Sequence, residues 1–274
     1  MDFILEPLSY SFMLRGLAGG LLTALACASL SAFVVWRGMS FMGDALAHSV
    51  LPGIVVAYVL GISLFWGALG AAILLVMGIG LISRRSLINE DAAIGVVFAG
   101  FFAVGLLLLG KVASSTDLSH ILFGNILGVG RTDLVLMAVV TVVVILGIVL
   151  SFKEIVTASF DPSHATAIGL SPDMVRTILL SMLALTTVVA IQTVGVVLVL
   201  ALLVTPGAAA SMLSRRLSRI MGISVVLAVI ATIAGFYISY YANVASGPAI
   251  VVVLTFLFLL CAIPRRLGKR VKPD

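Results

Sequence analysis

The sequence predicts an all-α integral membrane protein, a polytopic helical bundle of about nine transmembrane helices. Hydrophobic residues make up 62% of the 274 residues and charged residues only 10%, and a water-soluble protein cannot bury so much apolar surface. Apolar runs long enough to cross the ~30 Å hydrocarbon layer recur along the chain. Most Lys and Arg residues lie in the short polar loops between these runs.

Nine apolar runs follow one another along the sequence. The predicted spans are 12–36, 44–61, 64–82, 92–110, 133–152, 176–195, 197–213, 220–242 and 248–263. One alternative stays open, because Gly195 and Pro206 interrupt the region 176–213, which would then hold one span and a re-entrant piece. That arrangement gives eight crossings. In both cases the whole chain, 1–274, is predicted to be one transmembrane domain.

The basic residues predict the orientation of these spans. If the chain crosses at every span, one side carries the basic tail and Arg37, Arg84, Arg85, Lys153, Arg215, Arg216 and Arg219. Only Lys111 and Arg131 lie in loops on the other side. The positive-inside rule then places loop 152–175 and the carboxyl terminus in the cytoplasm and the amino terminus outside. Because the positive charge determines topology in this way, we expect no nucleic-acid partner.

Two Pro-Gly pairs predict breaks inside membrane helices. Pro52 and Gly53 occur in "SVLPGIVV", and Pro206 and Gly207 occur in "LLVTPGAAA". Proline removes a backbone donor and clashes with the preceding turn, so each pair is expected to open its helix. Broken helices often build ion or substrate sites in transporters. The alternative is a plain kink that serves packing.

The stretch "FMGDALAHSVLPG", residues 41–53, carries the main candidate site. Asp44 and His48 are four residues apart, so they project from one helical face. A carboxylate oxygen and an imidazole nitrogen suit first-row divalent metals such as manganese, iron and zinc. Two ligands leave the site incomplete, and the rest would come from another helix, from water or from a second copy of the chain. The alternative is an Asp–His hydrogen bond that steadies the start of a helix.

Three further polar positions have two interpretations each. Glu90, in "INEDAAIG", either caps its helix or adds a metal or gate residue. Asp117 and His120, in "DLSHILFGN", lie in an outer loop. They either receive an incoming cation or serve as a helix-start acid and an interfacial histidine.

Loop 152–175 contains the signals of a short helix between two spans. These signals run from an opening at Asp161-Pro162 through Gly169 to Ser171-Pro172, and together they outline the helix. A packed helix exposed to the cytoplasm is suited to dock on another protein. The chain itself has no Walker lysine loop, no HExxH and no GxSxG motif, so it shows no machinery for ATP hydrolysis or proteolysis.

Five stretches taken together resemble the permeases of ABC importers for manganese, zinc or iron. They are "MSFMGDALAHSVLPGIVVAYVLG" (39–61), "EDAAIGVVFAGFFAVGLLL" (90–108), "DLSHILFGNILGV" (117–129), "FDPSHATAIGL" (160–170) and "VAIQTVGVVLVLALLVTPGAAA" (189–210). The resemblance implies a transport subunit of the bacterial cytoplasmic membrane, not an enzyme. It also implies two cytoplasmic ATPase subunits that bind ATP, an extracytoplasmic metal-binding receptor, and a second copy of the chain or a sister permease.

The resemblance also assigns residues. Asp44 and His48 match the acid and histidine of the metal path, and two copies of each would supply four ligands. Glu90 matches an acidic position at the head of its helix. The segment 160–170 matches the coupling helix that rests on the ATPase, which includes Asp161, Pro162, Ala165, Gly169 and Leu170. The cargo is expected to be manganese first, with iron or zinc next, and no permanently bound cofactor is expected.

Two rival functions have distinct tests. An ATPase-independent secondary or channel-like cation transporter needs no coupling helix, and its transport would continue after ATP depletion. A membrane-embedded hydrolase using Asp44 and His48 would need a further acid or base, and it would act in detergent without partners.

Overall fold

The computed structural model describes residues 6–85, 90–111 and 126–268. Within these ranges the chain is helical, with 3₁₀ turns at Pro7–Ser9 and Ile126–Gly128. The α-helices are α1 (Ser11–Trp36), α2 (Ser40–Ser49), α3 (Leu51–Leu60), α4 (Leu64–Arg85), α5 (Glu90–Leu109), α6 (Arg131–Leu150), α7 (Phe152–Phe160), α8 (Pro162–Ala167), α9 (Pro172–Val194), α10 (Val196–Leu213), α11 (Leu217–Ala242) and α12 (Ser246–Gly268).

In the described ranges, nine segments are long and apolar enough to cross a membrane. They are Ser11–Trp36, Ser40–Leu60, Leu64–Ile82, Ala92–Leu109, Arg131–Leu150, Pro172–Val194, Val196–Leu213, Leu217–Ala242 and Ser246–Ile263. These segments match the nine predicted spans to within a few residues, which confirms the all-α polytopic architecture. The region 176–213 forms two helices that meet at Gly195, where the backbone is far from helical (φ 87°, ψ 162°).

The described residues pack as two compact units, and the first comprises those within Met1–Ser40, His120–Ala138 and Ala190–Asp274. Helix α1 packs against α10 and α11, and α12 packs against α10 and α11 as well. Small residues bring these helices together: Gly20 of α1 faces the methyl of Thr232, and Gly235 of α11 lies against the backbone of Ile250. Without a hydrophobic drive between helices in lipid, such close approach is a main source of helix association.

The predicted break at Pro206 is wrong, because α10 continues through this residue. A proline inside a helix removes one backbone donor and disturbs the neighbouring turn, and here Ser31 of α1 bonds to backbone groups on both sides of Pro206. Its hydroxyl accepts the N–H of Gly207 at 2.9 Å and lies 3.4 Å from the carbonyl oxygen of Val204, to which it donates. Hydroxyl groups of neighbouring helices commonly make a proline tolerable in a membrane helix. The interruption in this region lies at Gly195 instead.

The second unit comprises the described residues within Phe41–Ser119 and Val139–Val189. Here α3 and α4 meet backbone to backbone. A Cβ placed on Gly53 would collide with the carbonyl of Gly67, and a Cβ on Gly67 would collide with the carbonyl of Gly53. Ala57 and Ala71, four residues further along each helix, continue the contact. Gly53 therefore serves close helix packing by a small-xxx-small pattern on both helices.

The predicted break near Pro52 is confirmed, since α2 ends at Ser49 and α3 begins at Leu51. The interruption is a single residue, Val50, which keeps right-handed helical angles (φ −76°, ψ −11°). Pro52 has no N–H, so it cannot donate to the carbonyl oxygen of His48 four residues earlier. On α5, Gly105 packs against Leu51 and Pro52.

Candidate metal site

Helix α2 places the Asp44 and His48 side chains together, as the four-residue spacing predicts. The Nε2 atom of His48 lies 3.4 Å from Oδ1 of Asp44, and the side chains are 30% and 37% exposed, respectively. This separation exceeds the usual 2.7–3.2 Å of an N–H···O hydrogen bond. The two side chains therefore lie at ion-pair distance, without a tight Asp–His hydrogen bond.

The spacing of these two atoms suits one shared ion. With metal–ligand bonds of about 2.1 Å, atoms 3.4 Å apart subtend an angle of roughly 108° at the metal, close to the tetrahedral value. Bonds that are a little longer lower the angle toward roughly 100°. Residues four apart on one helical face form the same kind of two-ligand unit in helical zinc motifs. The distance between the two atoms is therefore compatible with a shared divalent ion.

Two phenylalanines of α5 contact the imidazole of His48. Its ring centroid lies 5.6 Å from that of Phe102 in an edge-to-face arrangement and 6.4 Å from that of Phe98. The two phenylalanine rings stack on each other at 5.8 Å, and Phe98 also meets Phe41 of α2 edge-to-face at 5.9 Å. These contacts were not predicted from the sequence, although Phe98 and Phe102 are four residues apart in a predicted span, which places them on one helical face.

The side chains of Glu90, Asp117 and His120 lie outside the part of the structure that is described. Among the described side chains, no three or more His, Cys, Asp or Glu residues come together as a metal site. Glu90 begins α5, and the role predicted for its side chain stays a prediction. Asp117 and His120 lie outside the described residues. Among the described side chains, the structure therefore brings together Asp44 and His48, and their role as metal ligands stays a prediction.

The segment 160–170 forms the short helix that the sequence predicts. Asp161 caps α8, since its Oδ1 accepts the N–H of His164 at 2.8 Å, and Pro162 occupies the first turn. At the other end Gly169 adopts a left-handed backbone (φ 85°), and the N–H of Leu170 donates to the carbonyl of Ala165 at 2.9 Å. Both ends of the helix are thus fixed locally, as in other capped helices.

A family model described as the ABC 3 transport family matches residues 9–265. The chain belongs to this family. The manganese transport system membrane protein MntB of Synechocystis is 42% identical over 261 residues, which cover 95% of this chain and 85% of the relative. The chelated iron transport system membrane protein YfeD of Yersinia pestis is 39% identical over 96% of this chain and 88% of its own length.

A solved structure agrees with this membership of the ABC 3 transport family. PsaBC from Streptococcus pneumoniae, in complex with Fab, matches with a TM-score of 0.84 and 36% identity, and the match covers 95% of this chain and 94% of that chain. The resemblance to ABC metal-importer permeases is confirmed, and the chain is a multi-pass membrane permease of the ABC 3 family.

Proposed function

We propose that this ABC 3 permease moves a divalent transition metal ion into the cytoplasm after receiving it from an extracytoplasmic metal-binding receptor. The observation that carries this proposal is the pair of ligand atoms on α2, 3.4 Å apart and partly exposed. An ionisable pair within a membrane span is costly and usually has a function. Asp44 and His48 would replace part of the hydration shell of the ion as it crosses.

Manganese is the proposed cargo, with iron or zinc next. The names of the two relatives concern manganese and chelated iron. Mixed oxygen and nitrogen ligands without a thiolate suit manganese, although the usual order of affinities favours zinc at the same site. We therefore propose that the receptor, together with Asp44 and His48, selects the metal.

A second permease would complete the site. Two copies of Asp44 and His48 would provide four ligands around one ion if both copies contribute to the path. A homodimer is the simplest source of the second pair, and a sister permease with the same residues is the other source. Glu90, Asp117 and His120 stay proposed as further path residues.

The segment 160–170 is the proposed docking site for the ATPases. It lies in loop 152–175, which the basic residues place in the cytoplasm together with the carboxyl terminus. Phe160 and Ile168 are exposed at either end of the capped helix α8, and Met174 is exposed just after it. These apolar side chains beside a rigid helix would fit a groove of an ATPase subunit. In a bacterial cytoplasmic membrane, two such subunits would drive import.

The proposal is tested by measuring metal content in cells that depend on this importer. Cells carrying the wild-type chain, His48→Ala or Asp44→Asn at matched membrane abundance are compared with cells lacking the chain, for manganese, iron and zinc by mass spectrometry. Asp44→Asn preserves the shape of the side chain while removing its charge. We expect one metal to fall to the level of the deletion strain in both variants.

The other outcomes are informative as well. Loss of metal on deletion alone would keep the importer and overturn the ligand assignment. No change in any metal, with the receptor and ATPases present, would overturn the import function. Uptake that continues after ATP depletion would favour the ATPase-independent transporter.

A further inference from the structure

The contacts between α5 and His48 suggest how the metal ligand is oriented. Phe102 meets the imidazole edge-to-face at 5.6 Å, and Phe98 lies 6.4 Å away at a tilt of 50°. Because the two phenylalanines stack at 5.8 Å with only 19° between their planes, they form one continuous aromatic wall. Phe98 also contacts α2 at a second residue, since Phe41 packs edge-to-face on it.

This aromatic wall restricts the ring of His48 without occupying its nitrogens. Aromatic rings hold one another in edge-to-face or offset orientations, so the wall limits rotation of the imidazole about its side-chain bonds. A phenyl ring has no acceptor or donor that would compete with the metal for Nε2. The usual means of orienting a metal-bound histidine is a hydrogen bond to its second nitrogen. At His48, contacts with the two phenylalanine rings would orient the imidazole sterically, in place of such a hydrogen bond.

We propose that Phe98 and Phe102 are positioning residues that hold the His48 imidazole where Nε2 and the Asp44 carboxylate bind one ion. This inference rests on the proposed function, in which that pair binds the transported metal. If this inference holds, the affinity of His48 for the metal ion depends on the position of α5. Loss of either ring is expected to weaken metal binding about 10- to 100-fold, the range seen when residues that orient metal ligands are removed.

The test uses the full-length permease purified with its ATPase subunits in lipid nanodiscs. Binding of Mn²⁺ is titrated by electron paramagnetic resonance, and pulsed spectra record the ¹⁴N coupling from a coordinated imidazole. The variants are Phe98→Ala, Phe102→Ala and the conservative Phe102→Tyr. Phe101→Ala is the matched control, because residue 101 projects about 100° around α5 from residue 102. His48→Ala sets the signal expected without the imidazole.

We expect Phe98→Ala and Phe102→Ala to weaken Mn²⁺ binding and to reduce the ¹⁴N coupling, while Phe102→Tyr and Phe101→Ala match the wild type. Only folded complexes are measured, so a smaller ¹⁴N coupling reports a displaced imidazole and not a general loss of structure. Wild-type affinity and coupling in both alanine variants, with both lost in His48→Ala, would overturn this inference alone. Binding that is insensitive to His48→Ala would overturn the ligand assignment of the proposed function, and the inference with it.

Discussion

Gly53 on α3 and Gly67 on α4 lie backbone to backbone, each positioned where the Cβ of the other would be. The contact explains why a glycine follows Pro52 in the sequence: the position requires the absence of a side chain. The φ of Gly53 lies outside the left-handed region. Glycine is therefore required here because there is no room for a side chain, and not because of the backbone conformation.

Alanine at either of these positions should destabilise the protein. Gly53→Ala or Gly67→Ala forces the two helices apart, and overpacking of this kind typically costs about 1–3 kcal/mol. The measurement is the thermal unfolding midpoint of the purified protein in detergent. Gly70→Ala is the control on the same helix, since open space surrounds Gly70 and alanine is the better helix former. Equal midpoints for Gly67→Ala and Gly70→Ala would contradict the packing role.

The hydroxyl of Ser31 should contribute more to stability in the presence of Pro206 than in its absence. Ser31→Ala leaves the buried N–H of Gly207 without its acceptor, a loss of about 1–3 kcal/mol. Ser29→Ala is the control, because the Ser29 hydroxyl donates to the Leu25 carbonyl of its own helix at 2.6 Å. In a Pro206→Ala background the Ser31 substitution should cost less, since α10 can then regain ordinary helical bonds. Unfolding midpoints of the four proteins of this double-mutant cycle test the coupling, and an unchanged cost would exclude it.

Gly195 should not tolerate a side chain. Its angles (φ 87°, ψ 162°) belong to a region that is essentially restricted to glycine, so Gly195→Ala should cost about 1–3 kcal/mol. Gly222→Ala, within α11 and with open space around it, should be neutral or stabilising because alanine is favoured in helices. Thermal unfolding of both variants provides the comparison. A Gly195→Ala protein as stable as the wild type would show that the backbone at this junction is not constrained.

The cap at Asp161 should matter for assembly with the ATPases. Asp161→Ala removes the acceptor for the His164 N–H and should weaken the start of α8 by about 0.5–2 kcal/mol. Asp161→Asn retains the capping oxygen and should behave as the wild type. We expect less ATPase to copurify with Asp161→Ala and metal uptake to fall in parallel. Full copurification with reduced uptake would place the role of Asp161 after docking.

Features encoded in local sequence were predictable here. The nine spans follow from the length and apolarity of continuous segments, and the shared face of Asp44 and His48 follows from helical spacing alone. The cap of α8 is likewise a local pattern, in which Asp161 precedes Pro162. In each case the residues that interact are within a few positions of one another.

Features that depend on distant residues were not predictable. The hydroxyl that bonds the backbone beside Pro206 belongs to Ser31, which is 176 residues away from Gly207 in the chain. The orientation of His48 depends on Phe98 and Phe102, whose spacing indicates a common face but not the helix that it contacts. A single sequence contains no information on which helices are neighbours, so these pairings emerge only from the three-dimensional structure.

The interruption at Val50 has a mechanical consequence for the span Ser40–Leu60. Because α3 is joined to α4 by backbone contacts, α3 and α4 would move as one body. Pro52 withholds the hydrogen bond that would otherwise tie Leu51–Leu60 to the end of α2. The helical hydrogen bonding of this span is therefore interrupted two positions beyond His48. Bending at Val50 would move Asp44 and His48 together and preserve their mutual distance, and it would have to carry α5 along, since α5 contacts His48 before the interruption and Leu51 and Pro52 after it.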